Sequence, residues 1–332
     1  MPKNKHVTIA DVARSANVSR ALVSFVLNER KDVAPATRAR IQQAIEELGY
    51  RPNAVARNLA TKRAGAIGIV CDMETYQDPL DMQFLAAILM TASEMGQRVM
   101  LIPADDQQIQ EVAQDHAVDG IIFLDERVSD PLIAHLLEME IPVAGLWGDH
   151  LDTALRKGFE ELAFHLESRG LQHVVCLCGP YDKLFVTKFK QVLIGTLQEN
   201  GIVADTVYHC PPGIETEVAH AVAHEFKGNG PVVIVASSDK LAINAIHALH
   251  SARLRVPDDC AVTGFGDVPA AQWVQPTLTT IRVPIRAMSL WAVARIFREE
   301  GTDGQVGAGK PGELSGLAPT QVGCRLIVRR SC

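Results

Sequence analysis

The chain has 332 residues, 47% of them hydrophobic and 21% charged, with a formal net charge of −7, which fits a soluble globular protein of two or three domains. No apolar run approaches the ~20 residues that cross a bilayer, and the opening Met1-Pro-Lys-Asn-Lys-His6 has no apolar signal core. Membrane-spanning and secreted classes are therefore excluded, and the cytoplasm is the expected location. Charge is unevenly placed: residues 1–63 hold 12 Lys and Arg against 5 Asp and Glu, a balance of +7, so the remainder carries −14. A polyanion is drawn to the first end and repelled by the rest, although a solvated basic arm would show the same imbalance.

The first elements explain that basic end. Thr8 can cap a helix whose apolar positions Ile9, Val12 and Ala13 fall at helical spacing. Asn17-Val18-Ser19 breaks it, and Ser19 can cap a second helix with Leu22, Val23, Val26 and Leu27 on its buried side. Two short helices around a tight turn read as a helix-turn-helix, a DNA-reading head. A third helix is predicted over Pro35–Leu48, with Ile41, Ala44, Ile45 and Leu48 facing inward and Gly49 as its stop. The segment from Arg51 to Ala60 can be helical but has too little apolar surface to be stable alone, and Thr61–Gly65 reads as a linker.

From Ala66 onward strand-like and helix-like runs alternate. Strands are predicted at Ala66–Cys71, Arg98–Pro103, Gly120–Leu124 and Pro142–Leu146, with helices between them that include Pro79–Met95 and Pro131–Met139. A second series follows: helix Thr153–Arg169, strand His173–Cys178, helix Lys183–Asn200, strand Thr206–His209, helix Glu215–Lys227, strand Val232–Ala236, helix Lys240–Ala252 and strand Cys260–Gly264. Such βαβ series predict two doubly wound, parallel-sheet lobes. The runs Leu278–Val283 and Cys324–Val328, separated by helix Arg286–Glu300 and the Gly-rich stretch Gly301–Gly316, read as late returns of the chain between lobes, which makes a hinged cleft.

Catalytic and metal motifs are weak. Gly264-Phe-Gly266 begins a dinucleotide fingerprint, but Pro269 stands where the third glycine belongs. There is no phosphate loop and no Gly-x-Ser-x-Gly elbow. His220 and His224 lie four apart on a predicted helix without the His-Glu-x-x-His order of zinc peptidases, and a solvated helix accounts for them. Cys176 and Cys178 would share one face of a strand, but no second pair accompanies them, and they read as buried core thiols; the seven cysteines read as reduced. No cofactor, metal or catalytic set is expected, and the chain is not read as an enzyme.

The Thr8–Asn28 head, Gly49-Tyr-Arg-Pro-Asn-Ala-Val-Ala-Arg-Asn-Leu59, Val118-Asp-Gly-Ile-Ile122, Leu254-Arg-Val-Pro-Asp258, Val262-Thr-Gly-Phe265, Pro276-Thr-Leu-Thr-Thr-Ile281 and Ala318-Pro-Thr-Gln-Val322 occur in an order and spacing that resembles the lactose/galactose repressor (LacI/GalR) family along essentially the whole chain. The resemblance implies a dimeric, operator-binding repressor with a periplasmic-binding-protein-like core that senses a small molecule. A recognition helix presents its N-terminal residues to base edges in the major groove, so Arg20, Ala21 and Phe25 are the base-reading candidates, and they match the family's positions. Phe25 departs from the arginine common there, and the alternative for it is simple packing. Thr8, Ser19, Ser24, Asn28 and Asn53 are candidates for holding phosphates. The resemblance also implies a hinge helix that folds on operator DNA and wedges Leu59, beside Ala56 and Arg57, into the minor groove.

The cleft departs further. Where sugar-binding members place an aspartate, an arginine, an asparagine and an Asp-Asp pair, this chain has Trp147, Phe189, Ser238 and Gly266 before Asp267. Sugars need convergent hydrogen bonds, since each buried hydroxyl without a partner costs about 1–3 kcal/mol. The expected effector is therefore not a conventional sugar, and a degenerate cleft that senses nothing is the alternative. Phe84, Trp147, Lys188, Phe189, Ser238, Asp267 and Trp273 are the candidate cleft residues, with Lys183 and Lys190 nearby on the same helix; core packing is the alternative for Phe84 and Trp273, and a solvated helix face for the lysines.

The expected organisation is a head over 1–49, a hinge helix and linker over 50–64, and a core over 65–332, whose lobe 1 spans about 65–150 and 284–315 and whose lobe 2 spans about 151–283 and 316–332. The expected partners are double-stranded operator DNA, a second copy of the chain (with a tetramer left open) and an unidentified small-molecule effector, with no membrane. A solute-binding protein and a nucleotide-dependent enzyme share the core architecture, but neither has a use for the basic head.

Overall fold

The computed structural model describes residues 7–27, 33–50, 63–71, 78–124, 130–146, 152–179, 184–211, 215–225, 232–297 and 323–332. The chain divides into two compact units, residues 1–64 and 65–332.

The first unit contains α1 (Ile9–Ser15), α2 (Arg20–Leu27) and α3 (Pro35–Leu48). The Asp11 carboxylate accepts from the Thr8 amide at 3.0 Å and the Thr8 hydroxyl at 2.7 Å, which fixes the entry to α1 and places a negative charge in its first turn. Asn17 takes up a left-handed conformation at φ 50°, and the Val18 amide donates to the Ala13 carbonyl at 2.9 Å, so the chain reverses within a few residues. Ser19 Oγ then accepts the Leu22 amide at 3.3 Å and starts α2. The third helix begins with Pro35 in its first turn and ends where Gly49 reaches φ 61°. There the Tyr50 amide donates back to the Ile45 carbonyl, the closure that a left-handed glycine permits. Val12, Ala13, Ala16, Val23, Val26, Val33, Ile41 and Ala44 form the shared core of the three helices.

The second unit carries two sheets. In the first, β1 (Ala66–Cys71), β2 (Arg98–Pro103), β3 (Ile121–Phe123) and β4 (Val143–Gly145) run parallel in the order β2-β1-β3-β4. The connecting helices are α4 (Pro79–Glu94), α5 (Asp106–Gln114) and α6 (Asp130–Glu138). Every β1 residue is buried, as a central parallel strand covered on both faces requires. Alternation divides its side chains: Ile67, Ile69 and Cys71 join Leu80, Phe84 and Ile88 of α4 in one cluster.

The second sheet has the order β10-β9-β8-β7-β5-β6. It comprises β5 (His173–Cys178), β6 (Val203–His209), β7 (Val232–Ala236), β8 (Cys260–Gly266), β9 (Thr279–Arg282) and β10 (Arg325–Ile327). All its pairings are parallel except the antiparallel β9–β10 edge. Its helices are α7 (Asp152–Ser168), α8 (Leu184–Glu199), α9 (Glu215–Glu225) and α10 (Asp239–Ser251). The last helix, α11 (Ile285–Ile296), follows β9 but packs on α4, β3 and β4 of the first sheet, while β10 returns to the second. Gly120 makes room for that return, since a Cβ there would lie 2.4 Å from Ile296 Cγ2. Among the described residues no helix is long and apolar enough to cross a membrane.

In each sheet the strand order reverses beside its first strand, between β1 and β3 and between β5 and β7. Crevices for ligands open at the carboxyl ends of strands flanking such a switch point. For the second sheet that point is marked by Gly179 and Ser237, which directly follow β5 and β7.

Candidate nucleic-acid interface and effector cleft

Helix α2 has two faces. Val23 and Val26 are buried against α1 and α3, while Arg20 and Ala21 at its start are exposed and Phe25, one turn later, is 37% exposed. One cation and two apolar side chains thus share the outward surface of a helix held rigidly by its neighbours. That set can donate a bidentate pair to a guanine edge and meet thymine methyl groups. Thr8 and Ser19 are exposed beside the ends of α1 and α2, and Ser24 is half-buried. Asn28, Asn53, Ala56, Arg57 and Leu59 lie outside the described residues, as does Trp147.

At the switch point of the second sheet the polar side chains are already engaged within the lobe. Ser237 Oγ accepts the Gly179 amide at 2.9 Å. Ser238 caps α10 by accepting the Leu241 amide at 3.3 Å. Asp239, next in line and 1% exposed, accepts the Val268 amide at 2.7 Å and the Thr280 hydroxyl at 2.5 Å. Burial pushes its carboxyl up to about 6, an effect that the charges of Asp267 and Asp78 reinforce and the two hydrogen bonds oppose. Asp267, in the left-handed region at φ 56°, is bound by Arg282 Nε at 2.6 Å and Arg329 Nη2 at 2.5 Å.

Two cleft assignments are corrected. Phe84 and Phe189 are fully buried. Phe189 sits in an aromatic cluster, 5.2 Å from Phe159 and 5.4 Å from Phe265, both edge-on, and 5.8 Å from Phe185. Its ring is therefore part of the packed interior that joins α7, α8 and β8, and offers no free face to a ligand. Lys188 is not a free cation, since its ammonium lies 3.2 Å from the Asp152 carboxylate. Trp273, by contrast, is 76% exposed. The described thiols are all buried; burial pushes Cys176 and Cys178 up to about 12, which leaves them unreactive core side chains. Among the described residues no group of three or more His, Cys, Asp or Glu side chains is placed to hold a metal ion.

Sequence reasoning missed Ser237, Asp239, Thr280, Arg282 and Arg329. A signal existed for the first two: polar residues that directly follow an all-apolar strand, Val232–Ala236, stand at the strand's carboxyl end.

Comparison with known proteins decides what this arrangement belongs to. Residues 8–53 match the model of the lacI family of bacterial regulatory proteins, and residues 163–332 match the periplasmic binding protein-like domain. Catabolite control protein A of Staphylococcus xylosus is 30% identical over 90% of this chain and 94% of its own length. The chain belongs to the LacI family. The HTH-type transcriptional regulator AscG of Escherichia coli K12 is 28% identical over 89% of the chain and 93% of its own. Among solved structures, the lac repressor dimer bound to operator and the anti-inducer ONPF shares the fold with a TM-score of 0.75 at 23% identity, covering 98% of this chain and 99% of that one. A transcriptional regulator CelR–cellobiose complex superimposes with a TM-score of 0.63, also at 23% identity, over 98% of this chain and 100% of its own. As a LacI-family member the chain is a DNA-binding transcriptional regulator, with a helix-turn-helix head and a two-lobed, periplasmic-binding-protein-like core.

Proposed function

We propose that this regulator is a cytoplasmic repressor that binds a pseudo-palindromic operator as a homodimer and answers to a small molecule in the cleft between its lobes. The observation that carries the reading is the outward face of α2, where Arg20, Ala21 and Phe25 are exposed while Val23 and Val26 are buried in the head's core beneath them. Arg20 reads a guanine; Ala21 and Phe25 contact thymine methyls; Thr8, Ser19, Ser24, Asn28 and Asn53 hold phosphates, and Ala56, Arg57 and Leu59 open the minor groove. The head spans 1–49, the hinge and linker 50–64, and the core 65–332. Support for repression and for an effector comes from relatives: the lac repressor is known as a dimer on its operator with an anti-inducer, and CelR with cellobiose. The relatives named are regulators of transcription, and we assign this chain no catalytic activity and no cofactor.

The effector differs from a conventional sugar. Ser238 and Asp267 already serve a helix cap and two arginines, and Phe189 replaces a polar clamp with packed core. The same observations favour a second reading, a cleft that senses nothing.

Dimerisation belongs to the core. Leu89 and Met90 on α4 and Leu101 on β2 are exposed, and among the described residues β2 is the edge of its sheet, so this side of the lobe presents apolar side chains beside a strand edge. Leu101→Asp is expected to shift the protein from dimer to monomer in sedimentation velocity. Operator affinity should fall about 100-fold or more, because the second head loses its effective concentration. A dimer with unchanged operator affinity would exclude this face.

A further inference from the structure

Asp119, in the Val118–Ile122 motif, stands at the amino ends of the first sheet's strands, opposite the carboxyl ends where a cleft opens. The chain enters the core at the same end, at Gly65. The Gly65 amide donates to Asp119 Oδ2 at 2.7 Å, a charge-assisted bond about twice as strong as a neutral one. The Gly65 carbonyl accepts from Arg98 twice, from its amide at 3.1 Å and from Nε at 3.3 Å. One residue further on, the Ala66 carbonyl accepts the Asp119 amide at 2.7 Å. Arg98 opens β2 and Asp119 leads into β3, so the two strands that flank β1 hold the peptide groups on both sides of Gly65. Gly65 itself turns at φ 64°, in the left-handed region that glycine enters without strain. The β1–β2 ladder starts only at Ala66, opposite Arg98; the carboxylate and guanidinium contacts extend the hold one residue back, onto the junction with the segment that leads to the head.

We propose that Asp119 and Arg98 clamp Gly65 and so fix the direction in which the chain leaves the core, which makes Asp119 a positioning residue for the spacing between operator half-sites. The proposal rests on the reading that the two heads of a dimer engage one pseudo-palindrome. Each head is tied to its own core through residues 50–64, so the heads reach only those half-sites that two exits and two tethers allow. One base pair more or less between half-sites moves one of them by about 3.4 Å along the duplex and turns it by about 34°. A fixed exit takes the rotations at Gly65 out of each tether and narrows that reach. With Gly65 released, both tethers pivot there and neighbouring spacings become accessible. Neither Asp119 nor Arg98 needs to touch DNA for this.

The test compares the full-length wild type with Asp119→Ala and Asp119→Asn, first without DNA and then with it. Hydrogen exchange of the Gly65 amide, followed in peptides that cover residues 64–71, should run about tenfold faster in Asp119→Ala. In Asp119→Asn, whose side-chain oxygen can still accept that amide, it should stay close to the wild-type rate. Each protein then selects from a random duplex library, and the recovered half-sites and their separations are read. The wild type should give one dominant spacing in roughly nine of ten paired sites, and Asp119→Ala the same half-site with that spacing in fewer than about half of them. Asp119→Asn should follow the wild type. An Asp119 that only supported the fold would weaken binding at every spacing alike and leave the distribution narrow. Gly65→Val, whose branched side chain does not tolerate a left-handed turn, should broaden the spacing in the same way, and it decides the matter if Asp119→Ala does not fold. Unchanged Gly65 exchange in Asp119→Ala, or a spacing as narrow as the wild type's, would overturn the clamp and leave the operator reading intact. A wild type that recovers no paired half-sites would overturn the operator reading, and the clamp's role with it.

Discussion

Replacing Phe189 by alanine is expected to destabilise the core by about 3–5 kcal/mol, the range for emptying a fully buried aromatic site, measured by urea unfolding followed through the far-ultraviolet signal. The ring is 0% exposed and meets Phe159 and Phe265 edge-on, so little of the space can collapse without moving α7 or β8. Phe189→Arg is the sharper variant, because it restores the residue type that the resemblance assigns to sugar-binding members. A guanidinium there would sit among the rings of Phe159, Phe185 and Phe265, and the cost of burying a charge in such surroundings makes it at least as destabilising as alanine. A stable arginine variant that gains sugar binding would mean that the site opens readily and that Phe189 belongs to the cleft surface.

The second large effect concerns base reading. Arg20→Ala should remove about 1–3 kcal/mol of discrimination, roughly 5- to 150-fold, at one symmetric pair of base pairs. Discrimination at the other positions should stay as it is. Competition of the variant against a panel of single-position operator changes reads this directly. Since Arg20 is exposed and Val23 and Val26 hold the helix, the head's fold should survive the change, which thermal unfolding of the variant checks. Should the variant keep the parent's preference at every position, Arg20 would be a phosphate contact or a bystander.

Much of the architecture is written locally. Pro35 and Gly49 bracket α3 because one is pre-shaped for a first turn and the other for a left-handed stop. The runs Ala66–Cys71, His173–Cys178 and Val232–Ala236 coincide with strands because buried parallel strands read as unbroken apolar segments. Other boundaries moved for non-local reasons. Strand β6 begins at Val203, ahead of the predicted Thr206, because His173 of β5 supplies a partner there. Strand β8 runs on to Gly266 because β9 pairs with it that far.

The cleft was less legible, for the same reason. Helical spacing puts Phe189 on one side of α8 but does not say whether that side meets a cleft or Phe159 and Phe265, which come from distant parts of the chain. An aspartate after a Gly-Phe-Gly turn looks like a ligand-binding group until Arg282 and Arg329 are seen to hold both its oxygens. The base-reading face of α2 rests on local caps and spacing, and its assignment now turns on DNA itself.

The most direct test of the central claim is selection of bound sequences from a random duplex library by the purified full-length protein at a stated, near-physiological salt concentration. The account predicts enrichment of a single pseudo-palindrome whose half-sites each carry a guanine protected by Arg20. Recovery of no common sequence, with binding that depends on salt alone, would contradict it.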